Sequence, residues 1–161
     1  TALTMSGLPT RRFAFEAFLP KDKKERAFIL EKLKDETRTI IIYEAPHHLS
    51  ATLKELHDAL GNRNITICRE LTKRYEEKRK TTLEDALLFY EENEPRGEYV
   101  LVLEGKTMQE IVDEQKKSWE SMSIEEHMAF YEEQGIARTE AMKMVAKDRG
   151  VSKRDIYQAL L

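Results

Sequence analysis

Residues 38–44 have the sequence RTIIIYE, a run of β-branched and apolar side chains that is typical of a strand buried on both faces. The chain then turns at Ala45-Pro46, and apolar residues recur at helical spacing until Gly61, which favours the end of a helix. The recurring residues are Leu49, Leu53, Leu56 and Leu60. A buried strand followed at once by an amphipathic helix predicts an α/β layer.

Further strands are predicted on both sides of this unit. In residues 13–18, FAFEAF, aromatic side chains recur between Pro9 and Pro20, and we expect Phe13, Phe15 and Phe18 to face the core. Residues 64–69, NITICR, and 98–104, EYVLVLE, have the same β-rich character. Together these segments predict a mixed sheet of about four to five strands.

Two more helices complete the predicted α/β domain. Residues 21–36 predict a helix with Asp22 as its N-cap and an apolar face formed by Ala27, Leu30 and Leu33, helped by Phe28. Residues 82–93 predict the next helix. We therefore expect an α/β domain over residues 8–105.

After Gly105 the composition changes, because no β-rich run follows and helical segments succeed one another to the end. Capping-box patterns open two of these helices, Ser123 with Glu126 and Ser152 with Asp155. We expect a separate, small all-α domain over residues 106–161.

The last part of this region has the spacing of a helix-turn-helix. Gly150 would take the turn, Ala146 would let the two helices approach, and Ile156 would fill the small core. The pattern indicates the fold more strongly than a function, because many such units contact only proteins. Lys153, Arg154 and Gln158 would lie on the second helix.

Composition excludes several classes of protein. The 161 residues carry 27 Lys and Arg against 30 Asp and Glu, and 40% are hydrophobic, enough for a modest core. No apolar run approaches the roughly 20 residues that span a bilayer, so we expect a cytoplasmic protein. The single cysteine, Cys68, excludes an internal disulfide, and no glycine cluster forms a phosphate-binding loop.

Three stretches could carry chemistry. They are SGLPTRRFAFEAFLP (6–20), YEAPHHL (43–49) and RELTKRYEEKRK (69–80). The second ends a strand, where open α/β sheets bind ligands. The third has six basic and three acidic residues, which suits an anionic partner such as RNA, although a solvated loop would have the same composition. His47 and His48 do not predict a metal site, because adjacent helical side chains diverge.

These stretches, together with GEYVLVLEG (97–105), occur in an order and spacing that resembles the bacterial 16S rRNA (cytidine) 2′-O-ribose methyltransferases. That family belongs to the tetrapyrrole (corrin/porphyrin) methylase superfamily. The resemblance covers residues 2–105 continuously, and the helical tail resembles a region that many members append. It implies that the α/β domain is the C-terminal domain of the tetrapyrrole methylase fold. It also implies that residues 1–7 end an N-terminal domain absent from this chain.

The chain departs from the family pattern at three positions. Ala17 and Thr81 stand where glycine is usual or common, and His48 stands where the P-H-R motif has arginine. The loss of that arginine bears most directly on function.

The resemblance implies methyl transfer from S-adenosylmethionine to the ribose 2′-hydroxyl of a cytidine in 16S rRNA of the small ribosomal subunit. It implies no metal, and it implies a homodimer. The cofactor would be shared with the N-terminal domain, so this chain alone should be inactive. The matching cofactor-facing positions are Ser6, Gly7, Leu8, Tyr43, Glu44 and Ala45, and residues 68–71 could continue that wall.

For RNA, the candidate contacts are cations that could track phosphates: Arg11, Arg12, Arg69, Lys73, Arg74, Lys153 and Arg154. Glu70 or Lys73 is the candidate catalytic residue, for proton handling or for orienting the hydroxyl. Two alternatives stay open. The substrate could be a tetrapyrrole, because the superfamily shares one fold, or the helical tail could act as a non-catalytic module that binds nucleic acid or protein.

Overall fold

The computed structural model describes residues 1–161, which form two compact units, 1–107 and 108–161. The first unit contains a five-stranded mixed sheet in the order β1-β2-β5-β3-β4. Its strands are β1 Phe13–Phe18, β2 Thr39–Glu44, β3 Asn64–Arg69, β4 Glu77–Thr82 and β5 Tyr99–Leu103. Strand β1 pairs parallel to β2, and all other neighbours are antiparallel. The α/β prediction is thus confirmed.

Helices cover one face of this sheet. They are α2 Lys23–Lys34, α3 Leu49–Leu60 and α4 Leu83–Glu92, and a 3₁₀ turn, Pro46–His48, precedes α3. The main core lies between these helices and the sheet. The strands contribute Ile40, Ile42, Ile65, Ile67, Leu101 and Leu103 to it. The helices contribute Leu33, Leu49, Leu53, Leu56, Leu60, Leu83 and Ala86. We call this side of the sheet the helix-covered face.

Local signals fixed the starts and ends of these helices. The Asp22 carboxylate accepts hydrogen bonds from the backbone N–H groups of Lys24 and Glu25, as predicted for the N-cap of α2. Thr82 caps α4 in the same way, and α3 ends at Gly61. The predicted face of α2 is partly wrong. Leu33 is buried, but Ala27 and Phe28 are exposed, and Ile29 packs on the core instead.

The prediction that the β1 aromatics face the core is wrong. Phe13, Phe15 and Phe18 are 47%, 53% and 62% exposed, whereas Ala14 between them is buried. The register sets Ala14 beside Ile40 of the main core and Phe15 beside Ile41, so the aromatics project from the opposite side of the sheet. We call that side the open face.

Strand β4 was not predicted. Its first four residues, 77–80, end the basic stretch 69–80, whose composition predicts a solvated loop, and Thr81 and Thr82 follow that stretch. It pairs with β3 along its full length at the edge of the sheet. Charged side chains are tolerated on an edge strand because they stay in solvent, and they discourage pairing with another chain. The segment therefore forms a strand because β3 offers it backbone hydrogen bonds, and not because its own sequence has an apolar pattern.

The fourth α-helix in this unit, α1 Ala2–Ser6, packs on the open face. Ala2 joins Ile41, Cys68 and Val102 in a second, smaller core there.

The second unit is all-helical. It contains α5 Met108–Ser121, α6 Ile124–Glu132, α7 Arg138–Arg149 and α8 Lys153–Ala159. Both predicted capping boxes are present, at the starts of α6 and α8, and Gly150 ends α7 in the left-handed conformation (φ 66°). Met128, Ala141, Val145, Ala146 and Ile156 form its core. None of the helices is both long enough and apolar enough to cross a bilayer.

Candidate functional site

The ends of three strands meet at one edge of the sheet. Strands β1, β2 and β3 run in the same direction, so their carboxyl ends share this edge with the start of β5. The strand register sets Glu44, Tyr99, Arg69 and Glu77 side by side across β2, β5, β3 and β4. We call this the carboxyl edge. It contains two of the three stretches singled out in the sequence.

Glu44 is buried on the helix-covered face, and both of its carboxylate oxygens are engaged. Oε2 accepts a hydrogen bond from the Thr52 hydroxyl at 2.6 Å, and Oε1 accepts one from the Ala45 N–H at 2.7 Å. Thr52 also accepts a bond from Arg26 at 2.7 Å. The Glu44 side chain therefore ties the end of β2 to α3 and α2. Tyr43, the preceding residue, projects on the open face.

The stretch RELTK (69–73) forms a tight turn after β3 with unusual backbone geometry. Glu70 and Thr72 have positive φ angles of 50° and 63°. For a β-branched residue such as Thr72 this conformation is strained, and such strain concentrates at functional sites. The Thr72 N–H donates to Glu76 at 2.7 Å, which fixes the far side of the turn.

Glu70 attaches this turn to the start of β5. Its Oε1 accepts from the Glu98 N–H at 2.7 Å, while its own N–H donates to the Glu98 carbonyl at 2.9 Å. Gly97 has a φ of 84°, and a Cβ there would lie 2.5 Å from Glu70 Oε1. A glycine at this position therefore allows the carboxylate to approach the backbone closely.

Lys73 lies against the same carboxylates. Its ammonium is 2.8 Å from Glu98 Oε2 and 3.4 Å from Glu70 Oε2. The hydrogen bond from the Glu98 backbone, followed by the Lys73 charge, lowers the pKa of Glu70. The Glu98 carboxylate, followed by that of Glu70, raises the pKa of Lys73. At neutral pH the two catalytic candidates are thus a carboxylate and an ammonium.

The other basic residues near the turn differ in their surroundings. Arg69 pairs with Glu77 at 2.6 Å and is largely covered, and its Nε is buried with no hydrogen-bond partner. Arg74 is exposed, with its guanidinium 5.6 Å from the centre of the Tyr75 ring. The carboxyl edge therefore holds Arg69, Glu70, Lys73 and Arg74 together, as their sequence proximity predicts.

The open face carries a cavity of about 440 Å³ next to this edge. Its wall is mostly apolar and aromatic, and it includes Phe13, Phe15, Ile41, Tyr43, Leu71 and Val100. Tyr43 makes edge-to-face contacts with Phe15 and Phe18, at ring-centre distances of 5.1 and 5.7 Å. The first residues of the chain, 1–4, close one side. Tyr43 and Leu71 thus share a wall, whereas Cys68 is buried beneath it.

Ser6, Gly7 and Leu8 lie elsewhere on the open face. The Ser6 hydroxyl donates to the Leu3 carbonyl and accepts from the Leu8 N–H, which shapes the turn after α1. Ser6 and Leu8 line a second cavity of about 450 Å³ with Thr66 and Lys80, near the start of β3. Of the six candidate cofactor positions, Ser6 and Leu8 therefore line this cavity and Tyr43 lines the first, whereas Gly7, Glu44 and Ala45 line neither.

Arg11 and Arg12 are exposed in the loop that precedes β1, at the edge of the sheet opposite to the carboxyl edge. Lys153 and Arg154 are exposed in the first turn of α8, in the second unit. The structure thus distributes the seven RNA candidates over three surfaces and brings only Arg69, Lys73 and Arg74 together.

Sequence reasoning missed the exposed aromatic residues of the open face as a surface. A signal was present: Ala14 and Ala17 alternate with the aromatics of β1, and small residues favour close packing. His47 and His48 contact each other, with ring centres 4.2 Å apart. No group of three His, Cys, Asp or Glu side chains is arranged to hold a metal ion.

Comparisons with known proteins agree with the resemblance. The family model for tetrapyrrole (corrin/porphyrin) methylases matches residues 1–87. The ribosomal RNA small subunit methyltransferase I of Halalkalibacterium halodurans is 48% identical over 157 residues, which is 98% of this chain and 54% of that protein. The Bacillus subtilis protein of the same name is 43% identical, over 99% of this chain and 54% of its own length.

Among solved structures, the methyltransferase CobJ is similar with a TM-score of 0.45 and 21% identity, covering 65% of this chain and 46% of that one. The chain spans about half the length of the curated relatives that it matches. Since the family model covers more than half of the 161 residues, the chain belongs to the tetrapyrrole (corrin/porphyrin) methylase family.

Proposed function

We propose that this chain is part of an S-adenosylmethionine-dependent methyltransferase that modifies RNA of the small ribosomal subunit. The observation that carries the proposal is the 48% identity, over 98% of the chain, to a relative named for that activity. The acceptor we propose is the ribose 2′-hydroxyl of a cytidine in 16S rRNA. The other part of the cofactor site would come from outside these residues, so the chain alone should be inactive.

The residues of the open face fit one side of a cofactor site. S-adenosylmethionine supplies a methyl group on a positively charged sulfonium, which is already electrophilic. An aromatic wall formed by Phe15 and Tyr43 suits both an adenine ring and a cation. Ile41, Leu71 and Val100 would exclude water from the reacting atoms. In this proposal Glu44 and Ala45 act through the backbone, because the Glu44 carboxylate is already engaged. Ser6, Gly7 and Leu8 would contact the cofactor from the turn after α1.

The turn after β3 fits the RNA side of the reaction. Arg69, Lys73 and Arg74 would contact phosphate or ribose oxygens, with Arg11 and Arg12 extending the contact. Alignment of the hydroxyl with the methyl group is then the main task. Of the two catalytic candidates, Glu70 is the one that can accept a proton, whereas protonated Lys73 can orient the hydroxyl oxygen. The lowered pKa of Glu70 makes it a weak base, so positioning is its more effective role.

Methyl transfer from radiolabelled S-adenosylmethionine to small subunits lacking the modification tests the proposal. The full-length protein and residues 1–161 would be compared, and the labelled nucleotide would be identified after nuclease digestion. We expect labelled 2′-O-methylcytidine with the full-length protein alone. Transfer by residues 1–161 would overturn the account of the cofactor site. Transfer to a base, or to another nucleotide, would overturn the proposed acceptor.

A tetrapyrrole methylase is the second candidate, favoured by the description of the matching family. The same full-length protein would be incubated with labelled cofactor and a porphyrinogen substrate. Incorporation there, with none into small subunits, would favour this alternative.

A binding module built on the helical tail is the third candidate. Lys153 and Arg154 are exposed at the start of α8 and could contact nucleic acid. Deleting residues 107–161 discriminates this possibility. Retained RNA binding by the shortened protein would count against the tail as the principal contact.

We also propose that the protein self-associates, as the resemblance implies. This proposal rests on the resemblance, because the exposed aromatics Phe15 and Tyr43 are already assigned to the cofactor wall. Sedimentation equilibrium of the full-length protein would measure the mass, and a monomer at micromolar concentration would contradict this proposal.

A further inference from the structure

A third cavity, of about 490 Å³, opens on the helix-covered face of the sheet beside α4. Arg69 and Arg79 contribute to it from β3 and β4, and Phe89, Asn93 and Arg96 contribute from α4 and the segment after it. None of the residues lining it also lines the two cavities of the open face. Arg69 alone among its residues was a candidate from the sequence.

Arg79 is the central feature of this cavity. Its guanidinium lies 3.5 Å from the centre of the Phe89 ring, a close cation–π stack. The strand register sets Arg79 opposite Ile67, so its side chain projects on the helix-covered face. The stack holds a planar cation flat against one wall. A planar guanidinium held in this way can stack on an aromatic base and still donate hydrogen bonds from its edge.

The cavity is positively charged overall. Arg69, Lys78, Arg79 and Arg96 line it, against two carboxylates, Glu77 and Glu94. Glu77 pairs with Arg69 at 2.6 Å, and Glu94 pairs with Arg96 at 3.2 Å. Arg79 contacts an aromatic ring, which leaves its charge available to an anion. Lys78 lies opposite Cys68 in the strand register, so it lines the cavity with its backbone and its side chain projects on the open face.

Arg69 supplies an independent indication of a ligand. Its Nε is buried and has no hydrogen-bond partner within the chain. A buried donor without a partner is uncommon, because desolvation without a compensating bond is costly. A ligand oxygen or nitrogen, or a water molecule, in the cavity would satisfy it.

We propose that this cavity binds an unpaired nucleotide of the RNA substrate, with the base stacked on the Arg79–Phe89 pair and its phosphate held by Arg96. The inference rests on the proposed function for the identity of the polymer. Stacking surfaces combined with cations are the usual means of binding single-stranded nucleic acid. The neighbouring RELTK turn, reached from the same strand β3, would hold the adjacent part of the RNA. Duplex RNA would bind poorly, because its bases are not free to stack.

Fluorescence anisotropy with the 161-residue chain and a labelled ten-nucleotide single-stranded RNA tests this inference. Three variants are compared: Arg79→Ala, which removes the planar cation; Arg79→Lys, which keeps the charge; and Lys54→Ala. Lys54 is exposed on α3 outside the cavity, so its replacement controls for the loss of one positive charge. Circular dichroism and thermal melting of each variant verify folding.

We expect Arg79→Ala to weaken RNA binding by roughly tenfold or more, the usual scale for the loss of one stacked base. Its salt dependence should stay close to that of the wild type, because Arg79 stacks on the base in this proposal and contacts no phosphate. Arg79→Lys should retain the salt dependence and still lose most of the affinity. Lys54→Ala should change the affinity by less than about twofold.

Several outcomes would overturn the proposal. Equal losses for Arg79→Ala and Lys54→Ala would mean that only net charge matters, and wild-type affinity in Arg79→Lys would exclude stacking. Equally tight binding of duplex RNA, or displacement of RNA by millimolar inorganic phosphate, would indicate a plain anion site. If the wild type binds RNA and the Arg79 variants bind it equally well, the proposal for this cavity is wrong and the proposed function is unaffected. The methyl-transfer assay judges the proposed function separately.

Discussion

Ala17 has a left-handed backbone conformation, with a φ of 52°, at the irregularity where the register of β1 against β2 shifts. This conformation is unfavourable for a residue with a Cβ and is neutral for glycine. The resembling family usually has glycine at this position. Ala17 is therefore a strained substitution within an otherwise regular strand pair.

Replacing Ala17 by Gly should stabilise the first unit by about 0.5–1 kcal/mol, because relief of strain exceeds the added entropy of the unfolded chain. Urea unfolding would measure the free energy of unfolding. Ala14→Gly is the matched control in the same strand, at a buried position without a positive φ. Ala14→Gly should lower the free energy of unfolding. A similar loss for both variants would contradict the strain argument.

Lys73 contacts Glu70 and Glu98 at the carboxyl edge, and it stays protonated at neutral pH. In the full-length enzyme we expect Lys73→Ala to lower kcat by about tenfold or more, the scale of one charged hydrogen bond. Affinity for S-adenosylmethionine should change much less. Steady-state kinetics and cofactor titration would separate the two effects, with Lys73→Arg as the charge-preserving control. Unchanged turnover would remove Lys73 from the mechanism.

Three helices of the second unit are joined by a buried polar network around His127 in α6. Its ring stacks on Trp119 of α5 at 4.0 Å. Arg149 of α7 donates from Nε to His127 Nδ1 at 3.0 Å, so Nδ1 is the acceptor and the proton lies on Nε2, 3.1 Å from Asp148. Tyr131 also donates to Asp148. The native network therefore requires a neutral imidazole.

Acid should destabilise the helical unit through His127. Burial, followed by the Arg149 charge, lowers the pKa of His127 even though Asp148 opposes this. The unfolded chain then binds a proton at higher pH than the native state, so stability falls as the pH decreases through about 6.5.

Thermal melting between pH 8 and pH 5, monitored by the circular dichroism of the α-helices, measures this effect. His127→Gln should melt at a lower temperature at pH 8, because the ring stack is lost, and should depend less on pH over this window. An unchanged pH dependence in His127→Gln would assign the effect to other groups.

At the scale of the whole molecule, each compact unit has its own apolar core. The clusters around Leu53 and Ile41 belong to residues 1–107, and the cluster around Met128 belongs to residues 108–161. Cooperative unfolding follows shared buried contacts, so separate cores favour separate transitions.

Calorimetry of the 161-residue chain should resolve two transitions. Since unfolding enthalpy scales with chain length, the smaller unit should absorb roughly half the heat of the larger one. Residues 1–107 alone should retain only the larger transition. A single transition, with a calorimetric enthalpy equal to the van't Hoff value, would contradict two independent units.

Local sequence patterns predict the α/β class, four of the five strands, the helices that cover the sheet and the capping boxes of the tail. These features depend on local periodicity and on side chains that bond to neighbouring backbone, and both are visible over a few residues. RTIIIYE and the leucines of α3 are clear cases. The resemblance located the stretches that surround the carboxyl edge.

Three features depend on packing between distant segments: which way the β1 aromatics face, that EKRKTT forms an edge strand, and where each candidate residue lies. Alternation along a strand does not say which face has helices on it, and β4 forms because β3 offers a partner. The stack of Arg79 on Phe89 and the engagement of Glu44 by Thr52 join residues distant in sequence. Such contacts arise from packing, which a one-dimensional pattern does not encode locally.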